Sequence, residues 1–220
     1  MSSGLRSGNS IFLISMKIPV PVLILQHPQE PSRKDQEVSS ARILTELLDP
    51  CFVKVGLSWK NLPHALKGWK EVEEIEELQK PKAWYTLYLG TKKNAEMDPS
   101  ALPGIYYLDK KGEPTEAPSH PEIGGLILLD GTWAQAKTLW WRNAWLTKTQ
   151  RIFIVPKAKS LYGNIRKEPR PECVSTVEAA AETLQFLGLD PEIETRLKNE
   201  FALRLKPFRD SKRGTPVRKN

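Results

Sequence analysis

The chain has 220 residues, 40% of them hydrophobic and 27% charged, a balance that allows a buried core and excludes a disordered or membrane-embedded chain. Its formal net charge of +7 is uneven: residues 206–220 hold six basic side chains against one acid, so +5 of the total lies in the tail and the body is not a uniformly basic nucleic-acid binder. Two cysteines, Cys51 and Cys173, exclude a disulfide framework and a four-cysteine zinc site and point to a reducing cytoplasm.

In chain order, the apolar stretch Ile11–Met16 is too short to cross a bilayer and is followed by Lys17. Residues 1–20 are read as a leader, 21–205 as one domain and 206–220 as a basic tail. Val22–Gln26 is a β-branched apolar run stopped by His27-Pro28, which predicts a buried strand. Gln36–Leu48 places Ile43, Leu44, Leu47 and Leu48 at helical spacing, and Asp49-Pro50 should end that helix. Phe52–Leu57 predicts a second strand. Trp69–Gln79 is acidic and reads as a surface helix or an irregular insertion. Ala83–Leu89 predicts a third strand closed by Gly90, and residues 91–122 a loop region interrupted by a short strand at Ile105–Leu108.

The second half is more regular. Gly125–Leu129 predicts a buried strand running into Asp130-Gly131-Thr132-Trp133, with a helix to about Leu146. Arg151–Val155 is the next strand, stopped by Pro156; Ser175–Leu187 and Pro191–Leu205 predict two further helices. Strands alternating with helices predict an α/β fold, a mostly parallel sheet with helices on both faces. Ligands of such sheets bind outside the carboxyl ends of the strands.

Three features fall at those ends. Asp130 closes the best strand, and Thr132-x-x-Gln135 after it fits a capping box, with Gly131 supplying a tight turn. Capping accounts for Thr132 but not for an ionisable Asp ending a buried strand beside Trp133. Ser175-x-x-Glu178 is a second capping box, structural by itself; two helix N-termini at neighbouring strand ends would aim free N–H groups at one crevice, which suits a carboxylate or a phosphate. Between them lies a basic loop with Lys157, Lys159, Arg166, Lys167 and Arg170, positioned for phosphate contact. Tyr162 in that loop either stacks a base or is buried. Trp140, Trp141 and Trp145 are read as core, whereas Trp133 starts a helix where it can face a ligand. His27, His64 and His120 form no constellation, and no Walker loop, G-x-G-x-x-G, H-E-x-x-H or G-x-S-x-G motif is present.

Asp130-Gly131-Thr132-Trp133, continued by Ala134-Gln135-Ala136, resembles the D-x-T-W signature of the DTW-domain proteins. Gln26-His27-Pro28-Gln29-Glu30 resembles that family's H-P-x-E element, with Ser40–Leu44 opening the helix after it. Ile165-Arg166-Lys167 and then Ser175-Thr176-Val177-Glu178-Ala179 resemble its closing S-T-x-E-A block. The blocks agree in order and span about residues 22–205. The family is similar to tRNA-uridine aminocarboxypropyltransferases and is related to the knotted SPOUT-type RNA methyltransferases. The resemblance therefore implies a SPOUT-like fold with a C-terminal trefoil knot, S-adenosylmethionine as co-substrate and tRNA as partner. No membrane partner is expected from the sequence, and the oligomeric state is left open with a monomer slightly favoured. Many members begin with a cysteine-rich, zinc-binding segment. This chain has no cysteine before Cys51, so no metal is expected.

The reaction so implied joins uracil N3 to the γ-carbon of the methionine moiety and releases methylthioadenosine. The resemblance assigns Asp130, Thr132 and Trp133 to catalysis, Asp130 orienting the base or deprotonating N3. A carboxylate beside the sulfonium would stabilise a charge that vanishes in the transition state, so orienting is preferred. Ser175, Thr176 and Glu178 are expected to frame the cofactor. By analogy with knotted relatives, Leu89-Gly90, Leu129 with Asp130-Gly131, and the Val155-Pro156 turn would form the adenine pocket. Lys157, Lys159, Tyr162, Arg166, Lys167 and Arg170 would hold the RNA. The rival readings are an S-adenosylmethionine-dependent methyltransferase on the same fold, which would release S-adenosylhomocysteine, and a non-catalytic RNA-binding protein.

Overall fold

A computed structural model describes residues 15–32, 36–87, 103–117, 123–163, 165, 173–188 and 191–213. Its strands are β1 (Met16–Gln26), β2 (Leu48–Val55), β3 (Trp84–Leu87), β4 (Gly104–Leu108), β5 (Pro114–Thr115), β6 (Gly125–Asp130) and β7 (Gln150–Val155). Its helices are α1 (Ser40–Leu47), α2 (Leu62–Leu66), α3 (Lys70–Glu73), α4 (Trp133–Arg142), α5 (Thr176–Phe186) and α6 (Ile193–Arg213). Among the described residues the strands form one seven-stranded sheet in the order β2-β1-β6-β3-β7-β4-β5. The pairs β1–β2, β1–β6, β6–β3 and β3–β7 are parallel, whereas β4 pairs antiparallel with β7 and with β5. The expected α/β fold with a mostly parallel sheet is present.

Strand alternation sorts the core onto two faces. Val22, Ile24, Leu126 and Leu128 lie in one cluster with α1, α5 and α6. Leu23, Leu25, Ile127 and Leu129 lie in the other with α2, α3 and α4. Every residue of β6 is buried, which is why its sequence reads as a continuous apolar run. On α1, the buried Ser40, Ala41, Ile43, Leu44 and Leu47 recur at three- and four-residue steps, one helical stripe against the sheet.

Several boundaries differ from the sequence expectation. β1 starts at Met16, inside the expected leader; Met16, Ile18 and Val20 are buried and alternate with exposed Lys17 and Pro19 before the strand becomes buried on both faces. β2 begins at Leu48 and carries Pro50, which an outer strand tolerates because a missing N–H there breaks no ladder. The acidic segment takes the irregular of its two readings, α3 followed by a 3-10 turn at Glu76–Gln79, whereas α4 stops at Arg142 rather than near Leu146, with a 3-10 turn at Ala144–Lys148 after it. α6 runs eight residues beyond Leu205 and contains Pro207, so the first half of the basic tail is helical. Phe208 packs on the first core cluster, and the Arg209 guanidinium donates to the Leu161 carbonyl, which ties that extension to the body.

Candidate functional site at the carboxyl edge of the sheet

Asp130 closes β6 opposite Gln26, the last residue of β1, in parallel register. Both side chains continue the face that carries α1, α5 and α6, because they follow Leu128 and Ile24 by two residues. Each is 5% exposed, and Gln26 Nε2 donates to Asp130 Oδ2 at 2.9 Å. The Asp130 carbonyl accepts from the His27 amide at 3.0 Å. The carboxylate is thus positioned both through its backbone and through one of its oxygens. Gln26 was legible only as part of a sequence block; the available signal was a polar residue ending a buried apolar strand.

The turn after Asp130 leaves no room for a side chain. Gly131 has φ of 155°, and a Cβ there would lie 2.9 Å from Gln135 Cβ and 3.4 Å from His27 Cβ. The capping box of α4 is complete: Thr132 Oγ1 accepts from the Gln135 amide at 3.3 Å, and Gln135 Oε1 accepts from the Thr132 amide at 2.6 Å. Gln135 Nε2 also donates to Gln29 Oε1 at 3.0 Å, which joins this turn to the loop after β1. Thr132 therefore spends its hydroxyl on the helix start, and Trp133, half-buried, is the first helical residue. Leu129 points to the opposite face and is packed in the second core cluster, so only its backbone can contribute to a site.

The second capping box does more than cap. Glu178 is 2% exposed, and its Oε2 accepts from the Ser175 amide at 2.9 Å, Ser175 Oγ at 2.7 Å and Ser160 Oγ at 2.8 Å. Its Oε1 accepts from the Leu161 amide at 2.6 Å. Glu178 therefore clamps the loop after β7 onto the start of α5, a link to Ser160 and Leu161 that the S-x-x-E spacing does not reveal. The amides of Thr176 and Val177, in the first turn of α5, meet no acceptor among the described residues. β7 ends at Val155, with Pro156 half-buried after it, and only β3 separates that edge from β6.

The predicted RNA-contact residues divide. Lys157 donates through its amide to Glu182 at 2.9 Å and through Nζ to Glu194 at 2.6 Å, and it lies 4.8 Å from the Phe186 ring. Burial pushes the Glu194 carboxyl up, but hydrogen bonds from Lys157 and Lys198 outweigh it and leave the group below the usual carboxylate range. Lys157 is thus occupied in holding α5 and α6 to the loop. Lys159 is exposed and pairs with no carboxylate among the described residues. Tyr162 is 6% exposed and packs edge-to-face with Phe201 at 5.1 Å, the buried alternative of the two readings. Leu89, Gly90, Arg166, Lys167 and Arg170 lie outside the described residues. Among the tryptophans, Trp140 and Trp145 are core as expected, but Trp141 is 79% exposed, because it leaves α4 on the side away from the sheet.

Among the described residues, no three His, Cys, Asp or Glu side chains come together as metal ligands, and no helix is long and apolar enough to cross a membrane. No solved structure matches the chain. Curated relatives do. A mouse protein named tRNA-uridine aminocarboxypropyltransferase 2 is 28% identical over 174 residues, 78% of this chain and 49% of its own length. Its namesake from Macaca fascicularis is 24% identical over 184 residues, 83% of this chain and 52% of its own. The Drosophila melanogaster protein of that name is 36% identical over 72 residues, 33% of this chain and 28% of its own. The chain thus spans about half the length of the mouse and macaque proteins or less of the fly one. The DTW domain model matches residues 12–208, from the strand that carries Gln26 to the helix that closes the core, and the chain belongs to the DTW-domain family.

Proposed function

We propose that this chain transfers the 3-amino-3-carboxypropyl group of S-adenosylmethionine to N3 of a tRNA uridine. Family membership and the names of the relatives support the reaction class. The observation that carries the site is Asp130: a carboxylate 5% exposed, held by Gln26, at the carboxyl edge of a parallel sheet. When bound, S-adenosylmethionine supplies an electrophilic γ-carbon: the N3–Cγ bond forms as Cγ–S breaks, the electron pair stays on sulfur as the neutral thioether of methylthioadenosine, and the N3 proton passes to solvent water.

The residues present fit such a ligand. The Thr176 and Val177 amides at the N-terminus of α5 suit its carboxylate, and the backbone at 129–131 and 155–156 suits its adenine. Glu178 and Ser175 position the loop and helix start around it. One oxygen of Asp130 is committed to Gln26, which fixes the plane of the carboxylate and favours orienting the uracil over accepting its proton. Thr132 holds the turn that presents Asp130, and half-buried Trp133 borders it. Lys159, with Arg166, Lys167 and Arg170, serves the RNA backbone. A trefoil knot in the C-terminal half belongs to the same proposal. It is supported by the chain order: β7 lies beyond β3 from β6, and α5 after it returns to pack on β6 and α1.

The test is incubation with unmodified tRNA and S-adenosylmethionine, followed by mass spectrometry of the nucleoside products. Methylthioadenosine and a matching mass gain on a tRNA uridine are expected. S-adenosylhomocysteine would make the protein a methyltransferase, and neither product would leave an RNA-binding protein. Asp130→Ala should lower turnover by about 10²–10⁴-fold while S-adenosylmethionine binding persists; full activity would remove Asp130 from the site.

A further inference from the structure

Trp141 is 79% exposed, while Trp140 and Trp145 on either side of it are 7% and 6% exposed. A single exposed apolar residue needs no explanation by itself. Its surroundings supply the second observation. Residues 131–167 contain eight Lys and Arg side chains and no Asp or Glu. Arg151 is buried on β7, 5.8 Å from the Trp140 ring, and Lys157 is paired with Glu194. Lys137, Arg142 and Lys148 are different. They are exposed, belong to α4 and the 3-10 turn after it, and pair with no carboxylate among the described residues.

Lys137 precedes Trp141 by four residues and so shares its face of the helix. Arg142 and Lys148 lie where α4 ends and offset the partial negative charge of that terminus. Within residues 133–150 the other exposed side chains are Ala134, Ala144, Thr147 and Gln150, which are small or polar and give no run of apolar residues of the kind a protein partner would bury. An aromatic face standing alone among unpaired cations is the chemistry that takes an unstacked base together with its phosphates.

We propose that Trp141, with Lys137, Arg142 and Lys148, forms a second RNA-docking face, on which an unpaired base of the substrate stacks on the indole. This rests on the reading of tRNA as substrate. The face begins at the same helix whose N-terminus carries the site turn, and Trp141 lies about 12 Å along the axis from Trp133. A folded RNA can thus span both, and the face helps decide which RNA shape is presented to Asp130.

The experiment is equilibrium binding of labelled, unmodified tRNA to the wild-type chain and to Trp141→Ala and Trp141→Phe, with product formation measured on the same samples. Trp141→Ala should raise the Kd, and the KM for tRNA, roughly 5- to 150-fold. Trp141→Phe should fall between, and kcat at saturating tRNA should not change. A Lys137→Ala/Arg142→Ala/Lys148→Ala variant should flatten the salt dependence of binding. Equal Kd values for wild type and Trp141→Ala would overturn the proposal. So would a wild-type chain that binds no tRNA, or a self-association that Trp141→Ala abolishes while tRNA binding stays intact. If wild type binds tRNA but yields no methylthioadenosine, the transferase reading fails and the docking face is still judged by the two Kd values.

Discussion

Replacing Glu178 with Gln tests whether the second capping box is a clamp rather than a cap. The carboxylate accepts four hydrogen bonds, three on Oε2 and one on Oε1. In the variant, the amide oxygen keeps the three donors only if it occupies the Oε2 position. The NH2 group then meets the Leu161 N–H, donor against donor. One charge-assisted bond is lost and a part-buried N–H is left unsatisfied, at about 1–3 kcal/mol, and the three surviving bonds weaken from charged to neutral. The sum is about 2–4 kcal/mol, which in a domain of this size lowers Tm by roughly 5–15 °C. Thermal unfolding followed by near-ultraviolet circular dichroism reads it directly. Ser160→Ala should cost about 1 kcal/mol alone and less in the Glu178→Gln background, because the two share one bond. Melting of Glu178→Gln within about 2 °C of wild type, or strict additivity with Ser160→Ala, would refute the clamp.

Gln26→Leu keeps the size of the side chain and removes the 2.9 Å bond to Asp130; turnover should fall by about 10-fold or more, and kcat within twofold of wild type would show that Asp130 needs no such support. Gly131→Ala places a Cβ 2.9 Å from Gln135 Cβ at a positive φ and should cost about 1–3 kcal/mol, seen as a lower denaturation midpoint; an unchanged midpoint would mean the turn relaxes freely. For Glu46, burial raises the carboxyl, but hydrogen bonds from Arg42 and Arg204 outweigh it, so it shares the depressed direction of Glu194. A depressed folded-state pKa stabilises above the unfolded value of about 4.3 and loses that stabilisation as the pH falls through the folded value. Stability from these two groups should therefore hold at neutral pH and decline below about pH 4.5, and a decline centred near pH 6 would assign the acid limb to other groups.

What the sequence determined by itself is what short-range chemistry encodes. The capping boxes Thr132–Gln135 and Ser175–Glu178 are i, i+3 bonds, and both form as read. The continuous apolar run of β6 and the helical stripe of α1 are period signals, and they place Asp130 at a strand end and the helices on both faces. Tertiary structure decided what depends on which strand lies beside which. Gln26 meets Asp130 because β1 and β6 pair in parallel register across 104 residues of chain, and no local pattern carries that distance. Tyr162 is buried and Trp141 exposed because Phe201 on α6 covers the one, whereas the other leaves α4 away from the sheet. Asp49-Pro50 stops α1 as read, but that outer strand β2 takes Pro50 in, and that α6 runs through Pro207 with Phe208 packed on the core, was decided by pairing and packing. Propensity is worth a few tenths of a kcal/mol to about 3 kcal/mol at one residue, and burial against a finished core can exceed it.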